Sequence, residues 1–340
     1  MKPRKHKKKK VRSTSSPAAP PQDQVNLLLT YYQAGSLPEA EALATSLTQQ
    51  FPKHPFGWTV LAAVLNQVGR LTESLAAQRR SVELSPQDAE AHYNLGITLS
   101  EVGRNDEAKT SYQKSIALKP DSAETHFNLG NTLIELSELG GAESSYRQSI
   151  ALKPDYAQAH SNLGNTLGKL GRLRDAEAKL RKAVALEPDL ANAHCNLGGT
   201  LQELGMLAEA EASYKKAIAL TPDYAQAHSN LGATFQKLGR LEEAQVSYRQ
   251  AIAIRPDCAE VHNDLGNTLK ELGRLEEAEA SHKKATGLQP ESAEAHSNLG
   301  ATLHELGKLE EAEASYRQAI TLNPDLAEAH NNLGNTLQDL

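Results

Sequence analysis

AEAHYNLGITLSEVGRNDEAKTSYQKSIALKPDS, residues 89–122, is a unit that the chain repeats without a slip in length. Counting Ala89 as position 1, a proline stands at position 32. Pro52, Pro86, Pro120, Pro154, Pro188, Pro222, Pro256, Pro290 and Pro324 follow one another at 34-residue intervals. The glycine of position 8 recurs in step, from Gly96 to Gly334. A fixed period of this size marks an array of small supersecondary units rather than one globule.

Each unit reads as two helices. Ala91, Leu95, Leu99 and Val102 fall at positions 3, 7, 11 and 14, the spacing of one helical face. Gly103, at position 15, is expected to end the first helix in a left-handed conformation. A second face follows with Ala108, Tyr112, Ile116 and Leu118. The proline at position 32 stops it, because proline lacks a donor and biases its predecessor away from helix. Asp121 with Glu124 reads as a capping pair for the next unit, as do Asp257 with Glu260 and Asp325 with Glu328. Small residues at positions 8 and 20 (Gly96, Ala108) allow the helices to approach to about 8–10 Å. One hairpin cannot bury its apolar side alone, whereas stacked copies can. The expected fold is therefore all-α, an α-solenoid of stacked helix-turn-helix units.

The spacing divides the chain into four stretches. Residues 1–21 are basic and then Ser/Pro-rich, too polar to bury a core, which predicts a disordered tail. Residues 22–88 are in phase but divergent, as a terminal cap should be. Residues 89–326 are the regular repeats. Residues 327–340 read as the first helix of a further, truncated repeat. Within the regular repeats, Ser137 replaces the turn glycine and Gly140-Gly141 opens a second helix, so this repeat is expected to fray.

The net charge of −6 is unevenly placed. Of 36 lysines and arginines, eight lie from Lys2 to Arg12 with no acid among them, so the rest of the chain is acidic by 14. Cys195 and Cys258 form no paired framework, which suits a reducing compartment. No apolar run approaches membrane length. These features predict a soluble, cytoplasmic protein.

The unit resembles the tetratricopeptide repeat. Leu-Gly at positions 7 and 8, Ala at 20 and Pro at 32 match the family pattern, and Trp58 supplies its position-4 tryptophan. The resemblance covers nearly the whole chain. It implies a protein–protein interaction scaffold whose first helices line a concave groove and bind an extended peptide or protein segment.

The candidate binding residues form a ladder at position 6: Asn94, Asn128, Asn162, Asn196, Asn230, Asp264, Asn298 and Asn332. An amide carries donor and acceptor side by side and can bond both partners of a peptide unit, whatever that peptide's side chains. The ladder is similar to that of the repeat domains of protein O-linked N-acetylglucosamine transferases, where such asparagines bind substrate peptides. That resemblance opens an alternative use, as the substrate-recognition arm of a larger glycosyltransferase with its catalytic domain beyond this chain. Position 2 is largely acidic or amide, and position 5 carries no lysine or arginine. A carboxylate clamp is not expected on that count, and a neutral to basic partner is. Nucleic acid or an anionic surface has one route, the basic tail from Lys2 to Arg12.

No catalytic constellation is found: no phosphate-cradling loop, nucleophile elbow or HExxH helix. The chain itself is expected to be no enzyme and to need no cofactor. The histidines at position 4 (His92, His126, His160, His194, His228, His262, His296, His330) are too far apart for one metal and are expected to pack.

Overall fold

A computed structural model describes residues 19–340. The expected tail thus lies, except for its last three residues, outside the described residues. Two units each hold their own packing, one reaching Pro154 and one running Asp155–Leu340. The first contains α1 (Gln22–Gln33), α2 (Leu37–Gln50), α3 (Pro55–Gln67), α4 (Leu71–Leu84), α5 (Ala89–Glu101), α6 (Asn105–Leu118), α7 (Ala123–Glu135) and α8 (Leu139–Leu152). The second contains α9 (Ala157–Lys169), α10 (Leu173–Leu186), α11 (Ala191–Glu203), α12 (Leu207–Leu220), α13 (Ala225–Lys237), α14 (Leu241–Ile254), α15 (Ala259–Glu271), α16 (Leu275–Leu288), α17 (Ala293–Glu305), α18 (Leu309–Leu322) and α19 (Ala327–Asp339). Within each unit, odd- and even-numbered helices pair as hairpins and the hairpins stack, an all-α solenoid.

The turn inside each hairpin is the one the glycine demands. Gly103 has φ +74°, its N–H donates to Ser100 C=O at 3.0 Å, and the Arg104 N–H donates to Leu99 C=O at 2.9 Å. These two bonds are the Schellman closure of a helix end. Ser137 adopts φ +59° to make the same turn. A Cβ in that conformation is strained, so Ser137→Gly is expected to stabilise its hairpin by about 0.5–1 kcal/mol. Hydrogen exchange reads this directly: amides of α7 and α8 should exchange more slowly in the variant, and unchanged exchange would remove strain as the cause of any fraying.

The helix starts differ from the expected pattern. The N-cap is position 34, one residue after the aspartates. Asp88 accepts from the Glu90 N–H at 2.9 Å, and Ser122 from the Thr125 N–H at 3.2 Å. Asp121, Asp257 and Asp325 sit one residue too early; the N-caps there are Ser122, Cys258 and Leu326. Side-chain capping therefore operates where position 34 is Asp or Ser, and at His54, whose Nδ1 accepts from the Phe56 N–H at 3.4 Å; the other helices of this kind start without it.

Each hairpin closes on position 24. Tyr112, Tyr146, Tyr214, Tyr248 and Tyr316 are among the largest fully buried side chains, and each ring lies over the glycine at position 8. A Cβ added at Gly96 would come within 2.6 Å of the Tyr112 ring, and one at Gly198 within 2.7 Å of Tyr214. The glycine is thus required by a side chain of the partner helix. Leu180 and His282 take the tyrosine's place in two repeats, over Gly164 and Gly266.

Salt bridges join the second helices of successive repeats. Arg79 meets Glu107 at 2.7 Å, Lys109 meets Glu138 at 2.8 Å and Arg249 meets Glu277 at 2.8 Å. Most of these groups are well exposed, so each contributes at most about 1 kcal/mol. Glu243, in the first turn of α14, pairs with Arg240.

Candidate functional site: the face of the first helices

First helices of successive repeats touch one another: α5 with α7 in the first unit, and α9, α11, α13, α15, α17 and α19 in turn in the second. Second helices make no comparable contacts. Within each unit the odd-numbered helices therefore form the tighter, inner side of the stack. In the first unit this side holds depressions of about 550, 470 and 280 Å³.

Asn94, Asn128, Asn162, Asn196, Asn230, Asp264, Asn298 and Asn332 are all half-buried on these helices. Part of their bonding capacity is used between repeats. The Asn128 amide donates to the Tyr93 hydroxyl at 3.1 Å, Asn196 to Ser161 at 3.5 Å and Asn298 to Asn263 at 3.0 Å. Each of these partners stands at position 5 of the preceding repeat. Asn230 accepts from Gln226 at 2.7 Å. An amide has two donors and an acceptor with two lone pairs, so one internal bond fixes its rotamer and leaves the rest for a ligand.

Sequence reasoning missed the threonines of position 10. Thr98, Thr132, Thr166, Thr234, Thr268, Thr302 and Thr336 are buried under the ladder. Each hydroxyl donates to the backbone carbonyl of the position-6 residue one turn earlier, at 2.7–3.2 Å. The signal was present as a threonine at position 10 of every repeat from Ala89 on, but period alone does not separate a buried hydroxyl from a solvated one.

The position-4 residues are pinned as well as packed. Trp58 donates its indole N–H to the Pro52 carbonyl at 3.2 Å. His92, His126, His194, His228, His262, His296 and His330 place Nε2 at 2.9–3.1 Å from the proline carbonyl of the preceding repeat. Histidine thus keeps the tryptophan's hydrogen bond, with Nε2–H as donor, and ties each inter-repeat loop to the next first helix. Among the described residues no cluster of His, Cys, Asp and Glu is suited to a metal ion.

Asp264 interrupts the amide row electrostatically. Burial, then the charges of Glu260 and Glu294, push its carboxyl up to about 6 from an ordinary 3.8. A folded state that holds the proton more tightly than the unfolded chain is stabilised below pH 3.8, and that contribution is lost as pH rises through 6. Asp264→Asn is therefore expected to stabilise the α15–α16 hairpin at pH 7 by about 1–2 kcal/mol, allowing for solvent screening, and by nothing at pH 3.5. Denaturation of both proteins at the two pH values checks this; an equal gain at both would remove the charge as its cause.

No helix among the described residues is long and apolar enough to cross a membrane. No curated protein matches the chain. Among solved structures, the APC/C hetero-tetramer Cut9–Hcn1 aligns with a TM-score of 0.61 at 17% identity, over 88% of this chain and 59% of that one. This chain thus spans less than two thirds of that relative's length. Pseudomonas aeruginosa PilF aligns with a TM-score of 0.57 at 18% identity, over 63% of this chain and 97% of that one. PilW, a type IV pilus biogenesis factor, gives 0.57 at 23%, over 61% and 96%. At these identities the likeness shows the fold. Family profiles described as tetratricopeptide repeat match residues 25–89, 78–110, 155–223, 189–257 and 223–291, and one described as TPR repeat matches 98–137, 130–171 and 301–340. With the period, the glycine turn, the helix pairing and these matches in agreement, the chain belongs to the tetratricopeptide repeat family.

Proposed function

We propose that this protein is an interaction scaffold that holds an extended protein segment along the inner face of its first helices. The observation that carries it is the row of half-buried position-6 residues spaced by one repeat, of which Asn128, Asn196, Asn230 and Asn298 are oriented by a bond within the stack. Within one unit, a segment lying across them meets one donor–acceptor pair per amide-bearing repeat, which favours main-chain recognition over a side-chain code. Glutamates at positions 2 and 13 give the face its sign and favour a neutral to basic segment. The same row equally suits the substrate arm of a protein glycosyltransferase of the O-linked N-acetylglucosamine type, since both uses share one mode of binding. The four stretches proposed from the spacing serve this reading: a basic tail at 1–21, a cap at 22–88, the binding array at 89–326 and a further first helix at 327–340.

The test is the triple variant Asn162→Ala, Asn196→Ala, Asn230→Ala. Three amide contacts at about 0.5–1.5 kcal/mol each predict a loss of tenfold or more. The measurement is affinity for peptides that the unaltered protein selects from a random display library. Unchanged affinity with full helicity would reject the ladder's role.

A further inference from the structure

We propose that the protein's own basic segment, from Lys2 to Arg12, docks along the inner face of the first unit. The face lacks a partner within the fold and is already grooved. Its four helices α1, α3, α5 and α7 contain no lysine or arginine, but carry Asp23, Glu90, Glu101, Glu124 and Glu135. In the second unit the corresponding helices include Lys169, Lys237 and Lys270, so the first helices free of cations belong to the first unit, where Lys119, from the loop after α6, is the one cation lining a depression with Glu90 and Glu124 among the described residues.

Several cations of the outer side are taken up by outer glutamates: Arg70 by Glu41 and Glu73, Arg79 and Arg104 by Glu107, Lys109 by Glu138. The inner glutamates are not so provided. Among the described residues no lysine or arginine is seen paired with Glu90 or Glu135; Glu101 receives only the Asn66 amide, and Lys153 reaches Glu124 at 3.9 Å. All four carboxylates are exposed.

Reach and order agree with the charge. Stacked repeats are parallel copies, so α1, α3, α5 and α7 start on one edge of the unit. Position 2 on that edge is occupied in turn by Gln22, Phe56, Glu90 and Glu124: neutral, apolar, acidic, acidic. The chain enters α1 at Pro21 with φ −58° and ψ 138°, an extended polyproline conformation. Leading away from Pro21, it offers an uncharged Ser/Pro/Ala stretch and then the eight cations. The uncharged part passes the apolar depression lined by Tyr32, Phe56 and Val60. The cations come level with Glu90 and the carboxylates beyond it. An extended chain from Pro21 back to Arg12 spans up to about 30 Å, and neighbouring first helices lie on the order of 10 Å apart. The basic run thus begins where the acidic run begins.

Docked in this way, the segment covers the part of the inner face that a partner of like charge would use, so that partner must displace it. The docking itself does not depend on the proposed function. Its test is a carbodiimide, which joins a lysine amine to a carboxylate only where the two touch, applied to the full chain and read by mass spectrometry. The expected result is links from lysines between Lys2 and Lys10 to Glu90, Glu101, Glu124 or Glu135. Their yield should not vary with protein concentration, and should fall about fivefold or more in about 0.5 M salt, where the screening length is only a few ångströms. Links whose yield rises with concentration would overturn the proposal in favour of a second copy of the chain. Links spread over outer glutamates such as Glu73 and Glu83, or no links at all, would overturn it outright.

Discussion

Replacing Tyr214 by alanine is expected to cost the α11–α12 hairpin about 3–5 kcal/mol, the range for removing a large buried ring from a core. Tyr214 is 1% exposed, and its ring lies across Gly198, where no side chain can follow it. The space left behind cannot close, because both helices are fixed by stacking on their neighbours. Unfolding of stacked repeats is propagated from one to the next rather than all-or-none, so the loss should be read locally. Hydrogen exchange should accelerate in α11 and α12, and less in α10 and α13. A uniform rise through the second unit would show that the array, not the hairpin, is the cooperative element. Filling the glycine instead, as Gly198→Ala, should destabilise by about 1–3 kcal/mol through overpacking against the same ring.

The α15–α16 hairpin should lose stability in acid for a separate reason. His282 occupies the tyrosine slot over Gly266, is fully buried, and both its ring nitrogens lack a hydrogen-bond partner. Burial, with a smaller effect of Lys270, holds its imidazole down at about 4 from an ordinary 6.5. The folded hairpin thus requires the neutral ring, while the unfolded chain takes up the proton from about pH 6.5 downward. The stabilisation is complete above pH 6.5 and is lost as pH falls toward 4, by about 3 kcal/mol in all. His282→Tyr restores the residue used in five other repeats and removes the titrating group. Its stability relative to the unaltered protein should therefore grow as the solution is acidified from pH 7 to pH 4. Asp264 lies on the same hairpin and acts in the opposite sense, but it is common to both proteins and cancels in the difference. A gap between the two that stays constant with pH would mean that His282 does not titrate in the folded hairpin.

Much of this was legible in the residues. The 34-residue period, the glycine at position 15 and the proline at position 32 place every helix end to within a residue or two, because each enforces a backbone conformation where it stands. The apolar spacing assigns the packed face of each helix. The ladder at position 6 was visible because its step equals the repeat. Other features depended on contacts between residues far apart in sequence. The caps fell one residue from the expected aspartates, since the N-cap is set by where the helix actually begins. The position-4 histidines proved to be donors to a loop carbonyl, a bond that needs the loop's tertiary path. Asp264 and His282 occupy positions that in other repeats hold Asn and Tyr; their titration is perturbed by burial, which the chain alone does not report.

The sequence by itself determined the array: a local rule repeated at fixed intervals needs only short-range sterics and propensity to specify a hairpin, and periodic apolar faces to stack it. The tertiary structure alone decided which polar groups retain free bonding capacity and which are consumed within the stack. That division rests on distances between neighbouring repeats, and a one-dimensional string carries the order of residues but not the few ångströms that separate a shared hydrogen bond from an open one.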